Sequence, residues 1–443
     1  MGLFDMATGR RYAIRQRMLM PVPTHRPASP EFRRGFLKLA AASAVLGLLT
    51  CVGLAGTVSP PYQIGTWQGF RQAAITYTFD DDLPNQYAIA VPMFNAKGFK
   101  MTLFTVTTWL PGGDWSPVQT AASYGHEIAS HTVTHPDLST SSAAVVTNEL
   151  QNSQSSINAN VSVQKCITLA YPYCNPPANS SIVSSYYIAA RGCSGQLVPS
   201  TPADFLNISS FVCGSQGLLQ FQDMKAKADA AATARSWCVY LIHAIDNDNG
   251  YSPLPSATLQ ATLNYLSTNQ SKFWVETFGH VVCYIRERNA ASVAETSTTN
   301  DSIAIQVTHN LDNSIYNYPI TLRRPLPPNW PGAAVSQNNN SIPAQFANLN
   351  STNFVTFDVV PNGGDVLLSK MVVPVVISNP ALTTPTSFSF RLDGQAGACY
   401  AVYGSSDLVN WTPLQTNILA SSYTNWTVPV AAALQFYRIK WAP

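Results

Sequence analysis

The stretch Ala74-Ile75-Thr76-Tyr77-Thr78-Phe79-Asp80-Asp81-Asp82 decides the fold of this 443-residue chain. Its first six residues are mainly β-branched or aromatic, which is the composition of a buried strand. The strand runs directly into three aspartates, and Pro84 prevents its continuation. Clustered carboxylates at a strand end repel one another, so a fold tolerates them mainly when a cation or a reaction uses them. Taken alone, an aspartate run more often forms a turn or caps a helix.

A histidine pair follows a second predicted strand. Residues 126–130 have strand composition and run into His131-Thr132-Val133-Thr134-His135-Pro136. Two histidines four positions apart can bind one metal ion, and Pro136 disfavours helical backbone at His135, which predicts a short turn. One carboxylate with two imidazoles leaves room for a water on a divalent ion, as in catalytic zinc sites. A lone histidine pair of this spacing binds metal in a minority of cases, but its combination with the aspartates is far more specific.

These two segments resemble the first two motifs of the polysaccharide deacetylase family, also called the NodB-homology or carbohydrate esterase family. The resemblance implies a distorted (β/α) barrel that hydrolyses acetyl groups of sugar polymers with a divalent metal, zinc or a similar ion. By the same resemblance, the general base is Asp80 and the metal ligands are Asp81, His131 and His135. The family usually has glycine at the position of Asp82, and this extra charge is expected to affect the metal preference or the pKa of the base.

The third motif is altered in this chain. Ala170-Tyr171-Pro172-Tyr173-Cys174 resembles the family pattern Arg-x-Pro-Tyr-Gly, in which the tyrosine amide polarises the acetyl carbonyl and the arginine steadies the catalytic aspartate. Ala170 replaces that arginine. Arg191, at the end of the next predicted strand, is the only nearby guanidinium in the sequence, and its alternative role is a structural salt bridge. Because adjacent barrel strands bring their C-terminal ends together, we predict that Arg191 reaches Asp80.

The last motif is Leu241-Ile242-His243. The resemblance implies that His243 is the general acid and that Leu241 walls the acetyl pocket, with Pro172 and Tyr173 as further substrate contacts. A histidine after an apolar strand is otherwise commonly a hydrogen-bonded core residue.

Other polar residues have weaker assignments. We interpret His126 and His280 as structural, and His309 lies outside the predicted barrel. Asp246 or Asp248 could orient the predicted general acid, and solvated loop charges are the alternative.

Strand-like and helix-like segments alternate from residue 67 to about residue 291. This alternation predicts parallel strands with crossover helices. Because the candidate active groups all follow strands, a barrel is favoured over an open sheet. The predicted strands are 74–79, 99–106, 126–130, 166–171, 187–190, 238–245 and 273–277, and the predicted helices are 85–96, 117–123, 139–158, 224–237, 256–269 and 280–291.

Beyond the predicted barrel (56–295), short alternating strands separated by Pro, Asn and Gly predict two all-β regions. We expect a polar linker at 295–300, a β-sandwich at 300–380, a hinge at 383–386 and a small C-terminal β domain at 386–443. Aromatic residues of the last region could stack on sugars, but a role in its core is favoured.

Residues 1–55 are predicted to be an export leader. Phe32-Arg33-Arg34-Gly35-Phe36-Leu37-Lys38 followed by an apolar run resembles a bacterial twin-arginine signal. The run is short for a bilayer span, although a membrane anchor is the alternative. The expected location is therefore periplasmic or extracellular.

Composition limits the partners and the redox chemistry. Charged residues make up 11% of the chain and the net charge is +2, without the basic stripe of a nucleic-acid binder. An oxidising destination permits disulfides, and an odd number of cysteines beyond the leader leaves at least one unpaired. We expect a bond between Cys193 and Cys213.

These observations predict an exported, monomeric, metal-dependent deacetylase acting on N-acetyl or O-acetyl groups of a polysaccharide such as chitin oligomers, peptidoglycan or acetylxylan. Contact with the cell envelope is left open. The alternatives are a hydrolase of the same fold acting on a non-sugar amide or ester, and a catalytically degenerate carbohydrate-binding envelope protein.

Overall fold

The computed structural model describes residues 56–441 except 329, 331, 372–374, 395–398 and 431–434. The predicted leader lies outside this part of the chain. No helix within it is long and apolar enough to cross a membrane.

The N-terminal part of the described chain is a parallel sheet flanked by helices, as predicted. A short strand, β1 Gln63–Ile64, comes first along the chain and joins another sheet. The strands of the parallel sheet are β2 Ala73–Asp80, β3 Thr102–Thr105, β4 Glu127–Ser130, β5 Thr168–Ala170, β6 Ala189–Arg191, β7 Phe211–Val212, β8 Trp237–Ile242 and β9 Phe273–Val275. Its helices are α1 Val91–Lys97, α2 Ser116–Ser123, α3 Ala143–Asn160, α4 Ser180–Ser184, α5 Phe221–Ala234, α6 Ser256–Thr268 and α7 Phe278–Ala290.

The sheet has the order β6-β5-β4-β3-β2-β8-β7, with β9 also paired to β2. The segment between β6 and β7 connects the two edges of this sheet through isolated β-bridges. Ile208 pairs with Arg191 of β6 at one edge, and Val198 pairs with Trp237 of β8 near the other edge. The predicted distorted (β/α) barrel is therefore confirmed. All eight residues of the central strand β2 are buried, which explains why its sequence is apolar without alternation, as in strands covered on both faces.

A β-sandwich follows the barrel and shares a hydrophobic core with it. Two antiparallel sheets, β1-β12-β16-β15 and β10-β11-β17-β13-β14, form it. Val281 of α7, Ile303 and Leu322 belong to one buried cluster, so α7 packs against both the barrel sheet and the sandwich. The sandwich strands are β10 Ser292–Thr298, β11 Ser302–Thr308, β12 Ile320–Pro325, β13 Ala333–Gln337, β14 Asn340–Ile342, β15 Ala344–Leu349, β16 Thr352–Val359 and β17 Val366–Lys370.

The prediction of a linker at 295–300 was wrong, because most of this segment belongs to β10. Val293 is fully buried and pairs with Val307 of β11. Glu295 accepts hydrogen bonds from Tyr62 Oη and Arg324. The segment is polar because one face of an edge strand is exposed, and that polarity made it resemble a linker.

The C-terminal region contains two three-stranded sheets, β18-β19-β22 and β21-β20-β23. The predicted hinge at 383–386 is instead the turn between β18 and β19, where Thr384 pairs with Ser387. Phe390, Tyr400 and Trp426 are buried in one small cluster, so these aromatic residues form core. The strands are β18 Val376–Thr384, β19 Ser387–Asp393, β20 Cys399–Ser405, β21 Thr412–Ile418, β22 Tyr423–Pro429 and β23 Phe436–Trp441.

Candidate active site

The three aspartates turn sharply at the end of β2. Asp80 is the last residue of the strand, and Asp81 and Asp82 both have positive φ, 79° and 55°. Left-handed backbone costs a non-glycine residue roughly 1–2 kcal/mol, and such strain concentrates at functional sites. The turn separates the three carboxylates. Asp82 accepts hydrogen bonds from Val106 N and Tyr87 Oη, both at 2.8 Å, and so ties the ends of β2 and β3 together.

The histidine pair lies on a non-helical turn after β4, as Pro136 predicts. Thr132 and His135 have positive φ, 72° and 61°. Glu149 of α3 supports this turn, because its Oε2 accepts from Val133 N at 2.7 Å and from Thr134 N at 2.9 Å. Glu149 was not predicted as a site residue. Its only sequence signal is an acidic position within an otherwise polar helix.

Asp81, His131 and His135 converge in a geometry that suits one divalent cation. Asp81 Oδ1 lies 3.7 Å from His131 Nε2 and 3.8 Å from His135 Nε2, and one ligand atom from each residue falls within 4.8 Å of the others. His131 Nδ1 lies 2.8 Å from the carbonyl oxygen of Ala170. Since a carbonyl only accepts, Nδ1 carries the proton and Nε2 keeps a free lone pair.

The electrostatics of this cluster also fit a cation. Burial lowers the pKa of His131 to about 3 and lowers that of His135, so both imidazoles are neutral and can act as ligands. Burial, followed by the charges of Asp80 and Asp82, raises the pKa of Asp81 to about 7. Asp81 Oδ1 is buried without a hydrogen-bond partner among the described residues. A bound cation would supply the missing partner and favour the carboxylate.

Arg191 donates a hydrogen bond from Nη2 to Asp80 Oδ2, so the predicted contact is present. The guanidinium is fully buried. Burial on its own would raise the pKa of Asp80, but the charge of Arg191, with smaller contributions from His131 and His243, lowers it below its ordinary value. Asp80 Oδ1 is buried and accepts no hydrogen bond from any described residue. This oxygen is therefore available to a water or a substrate.

His243 immediately follows β8 and faces the same aspartate. Its Nε2 lies 3.9 Å from Asp80 Oδ2, and burial lowers its pKa. The ring packs edge-on against Tyr251, with centroids 4.9 Å apart. Neither acid proposed to orient it does so. Asp246 Oδ1 accepts from Ser256 N at the start of α6, and Asp248 Oδ2 accepts from Asn85 N in the segment after β2.

The third motif forms a short 3-10 turn over Pro172–Cys174. Tyr173 has a φ of 55°, is 65% exposed, and places its ring 4.7 Å from the ring of His135. Pro172 is buried below it. Leu241 is 1% exposed within β8, and its role as a wall of the acetyl pocket stays a prediction.

Residues 68–187, which carry the first three motifs, match the family model described as polysaccharide deacetylase. The match shows that this segment is related to polysaccharide deacetylases. A gellan lyase from a Bacillus species is 26% identical over 352 residues, a match that covers 74% of this chain but only 14% of the length of that protein.

Similar solved structures include two that cover about half of this chain. The Xyl-CE4 domain of a multidomain xylanase from the hindgut metagenome of Trinervitermes trinervoides is 20% identical, with a TM-score of 0.34, and covers 47% of this chain and 88% of that one. A polysaccharide deacetylase from Mycobacterium smegmatis is 14% identical, with a TM-score of 0.40, and covers 52% and 94% of the two chains.

The barrel contains a disulfide that differs from the predicted one. Cys174 bonds to Cys193, with their Cα atoms 5.7 Å apart. They meet because β5 and β6 are adjacent parallel strands, and each cysteine follows one of them. Cys213, the predicted partner, is a buried free thiol.

The remaining histidines of the described chain lie outside the metal cluster. His126 is buried, and its Nδ1 accepts from Met101 N. His280 pairs with Glu276 at the start of α7. His309 lies in the sandwich with its Nε2 3.6 Å from Glu287 Oε2. These contacts support the structural interpretation of His126 and His280.

Proposed function

We propose that this protein is an exported, metal-dependent hydrolase that removes acetyl groups from a polysaccharide. One observation carries the proposal. Asp80 is buried, forms an ion pair with Arg191 and lies 3.9 Å from His243. Beside it, Asp81, His131 and His135 each offer one atom that could bind a metal ion. A structural salt bridge alone would not need two neutral histidines and an unpartnered carboxylate oxygen beside it.

The proposed general base is Asp80. A carboxylate buried this deeply normally takes up a proton, because desolvation disfavours its charged form. Arg191 opposes this effect, because its positively charged guanidinium donates a hydrogen bond to Asp80 Oδ2. This contact leaves Oδ1 as the oxygen that accepts a proton from water. Arg191 therefore acts as a positioning residue that keeps the base ionised and oriented.

The other groups divide the remaining work. Asp81, His131 and His135 would hold a divalent cation, with zinc the expected one, and that ion would polarise the acetyl carbonyl and activate the attacking water. The backbone amide of Tyr173 is the proposed oxyanion donor. His243, whose Nε2 lies 3.9 Å from Asp80 Oδ2, is the proposed general acid that protonates the leaving amine or alkoxide.

Ala170 and Asp82 are the two sequence features that left a different hydrolase activity open, and the structure gives each of them an explanation. Arg191 takes the place of the arginine absent at Ala170, and Asp82 is engaged with Val106 and Tyr87 instead of facing the metal cluster. The complete set of site residues speaks against a degenerate carbohydrate-binding protein. Acetylated polysaccharide is therefore the favoured substrate.

The experiment is an acetate-release assay on the zinc-loaded protein. The substrates are acetylated chitin oligomers, peptidoglycan, acetylxylan and, because of the gellan lyase relative, acetylated gellan, with a small non-sugar amide for comparison. Release from at least one polysaccharide, abolished by a chelator and by Asp80→Asn, supports the proposal. Turnover of the small amide alone would replace it with the non-sugar alternative, and no release from any substrate would reject it.

Export is part of the same proposal. The Cys174–Cys193 bond favours an oxidising destination, since disulfides persist mainly outside the cytosol. Fractionation of a bacterial host with an active twin-arginine pathway tests it. The expected result is protein in the periplasm or medium, and Arg33→Lys with Arg34→Lys should retain it in the cytoplasm.

A further inference from the structure

The Cys174–Cys193 bond joins the end of the buried strand β6 to the exposed turn that follows β5. On one side, Gly192 donates from N to Ile208 O at 2.8 Å, and Ser210 Oγ donates to Gly192 O at 2.7 Å. Arg191, next to it, is fully buried. The strand end that leads to Cys193 is therefore firmly anchored in the barrel.

On the other side, the turn that carries Tyr173 is held by two backbone hydrogen bonds within the turn and by Asn175 Nδ2, which donates to Asp137 Oδ2 at 2.9 Å. Tyr173 is 65% exposed. Tyr173 and Cys174 have consecutive positive φ values, 55° and 62°. Left-handed backbone is unfavourable for residues with a Cβ atom, and a glycine would adopt it freely. This chain therefore places a residue with a Cβ atom, Cys174, at a position where glycine would be unstrained.

We propose that the disulfide is a positioning device, which clamps the strained turn onto the anchored end of β6 and thereby holds the Tyr173 amide in place. The same bond connects the turn to β6, the strand that supplies Arg191. Arg191 pairs with Ala170 of β5, the strand that leads into the turn. The consequence for turnover rests on the proposed function, but the clamp itself does not.

Two paired variants separate the clamp from general stabilisation. Cys174→Ser with Cys193→Ser removes the bond and keeps a Cβ atom in the strained position. Cys174→Gly with Cys193→Ser removes the same bond and also the strain. Both variants lose the contribution of the disulfide to global stability, so a difference between them reports the backbone at residue 174.

The first measurement is hydrogen exchange of the peptide spanning residues 171–175, which needs neither metal nor substrate. In the intact turn, Cys174 N donates to Tyr171 O and Asn175 N donates to Pro172 O. The serine variant should exchange these amides about tenfold faster, as expected when a left-handed residue loses its restraint, while the glycine variant stays near the wild-type rate. Equal exchange in the two variants, or no change in the serine variant, would overturn the clamp.

The second measurement is kcat with zinc content determined in parallel. The serine variant should lose about tenfold in kcat with unchanged zinc content, because the Tyr173 amide is no longer held in one position, and the glycine variant should regain most of it. Equal losses of kcat in the two variants would also overturn the proposal. If the wild-type protein deacetylates none of the substrates, the proposed function fails, and the exchange measurement still decides the clamp.

Discussion

Arg191 lies directly beside Ala170 in the parallel pair formed by β5 and β6, and its guanidinium donates to Asp80. The resemblance of the third motif predicted an arginine at the position of Ala170. In this chain the same charge comes from the neighbouring strand and reaches the same carboxylate. Arg191 can reach Asp80 from the strand beside that position, because the C-terminal ends of adjacent barrel strands open onto the same face.

The first prediction concerns this pair. Arg191→Ala should leave the metal in place and lower turnover strongly, because it leaves a buried carboxylate without its cation. Breaking such a pair typically costs about 3–5 kcal/mol of stability. Arg191 lowers the pKa of Asp80, so its loss should raise that pKa. The base then becomes protonated at a higher pH, and the acidic limb of the kcat/KM profile should move to higher pH.

A reciprocal variant tests the geometry. Adding Ala170→Arg to Arg191→Ala should restore part of the activity and return the acidic limb toward its wild-type position. An unshifted acidic limb in Arg191→Ala would contradict the proposed role of Arg191.

The second prediction concerns the metal. His131→Ala or His135→Ala should lose bound zinc and activity together, because each removes one of three protein ligands that converge within 4.8 Å. His280→Ala is the matched control, since this histidine pairs with Glu276 elsewhere, and it should keep its zinc. Full zinc stoichiometry in either ligand variant, measured by elemental analysis, would refute the assignment.

The third prediction concerns the acid and the base. Asp80→Asn and His243→Ala should keep the zinc and lose roughly 10²–10⁴-fold in turnover each, the usual contribution of such groups. Asp82→Asn should stay within severalfold of wild type, because the oxygens of Asp82 bind Val106 N and Tyr87 Oη. Normal turnover by Asp80→Asn would make Asp82 the candidate base instead.

The fourth prediction concerns the support of the histidine turn. Glu149→Ala should weaken zinc binding by about 10–100-fold, as is usual for groups that orient metal ligands, because Val133 N and Thr134 N lose their acceptor. Glu149→Gln keeps an acceptor oxygen and should lose less. Competition with a chromophoric chelator measures both affinities, and equal affinity in Glu149→Ala and wild type would show that the turn holds itself.

The sequence alone determined the features that depend on neighbouring residues. The unbroken apolar run of β2, ending in Asp80, predicted a buried strand with carboxylates at its end. Pro136 predicted that the histidines occupy a turn. Each rests on local backbone preference or on side-chain periodicity, which a short segment decides largely by itself. The contact of Arg191 with Asp80 was also predictable, once the order of the strands was inferred.

The tertiary structure decided which distant segments meet. Cys193 bonds to Cys174, and not to Cys213, because Cys174 and Cys193 follow the adjacent strands β5 and β6. The spacing of cysteines along the sequence does not show which of them are close in space. Glu149 supports the histidine turn only because α3 packs beside β4. The polar segment 295–300 belongs largely to a strand because β11 pairs with it. In each case the partner lies far along the chain, and its position depends on how the whole core packs and not on the residues beside it.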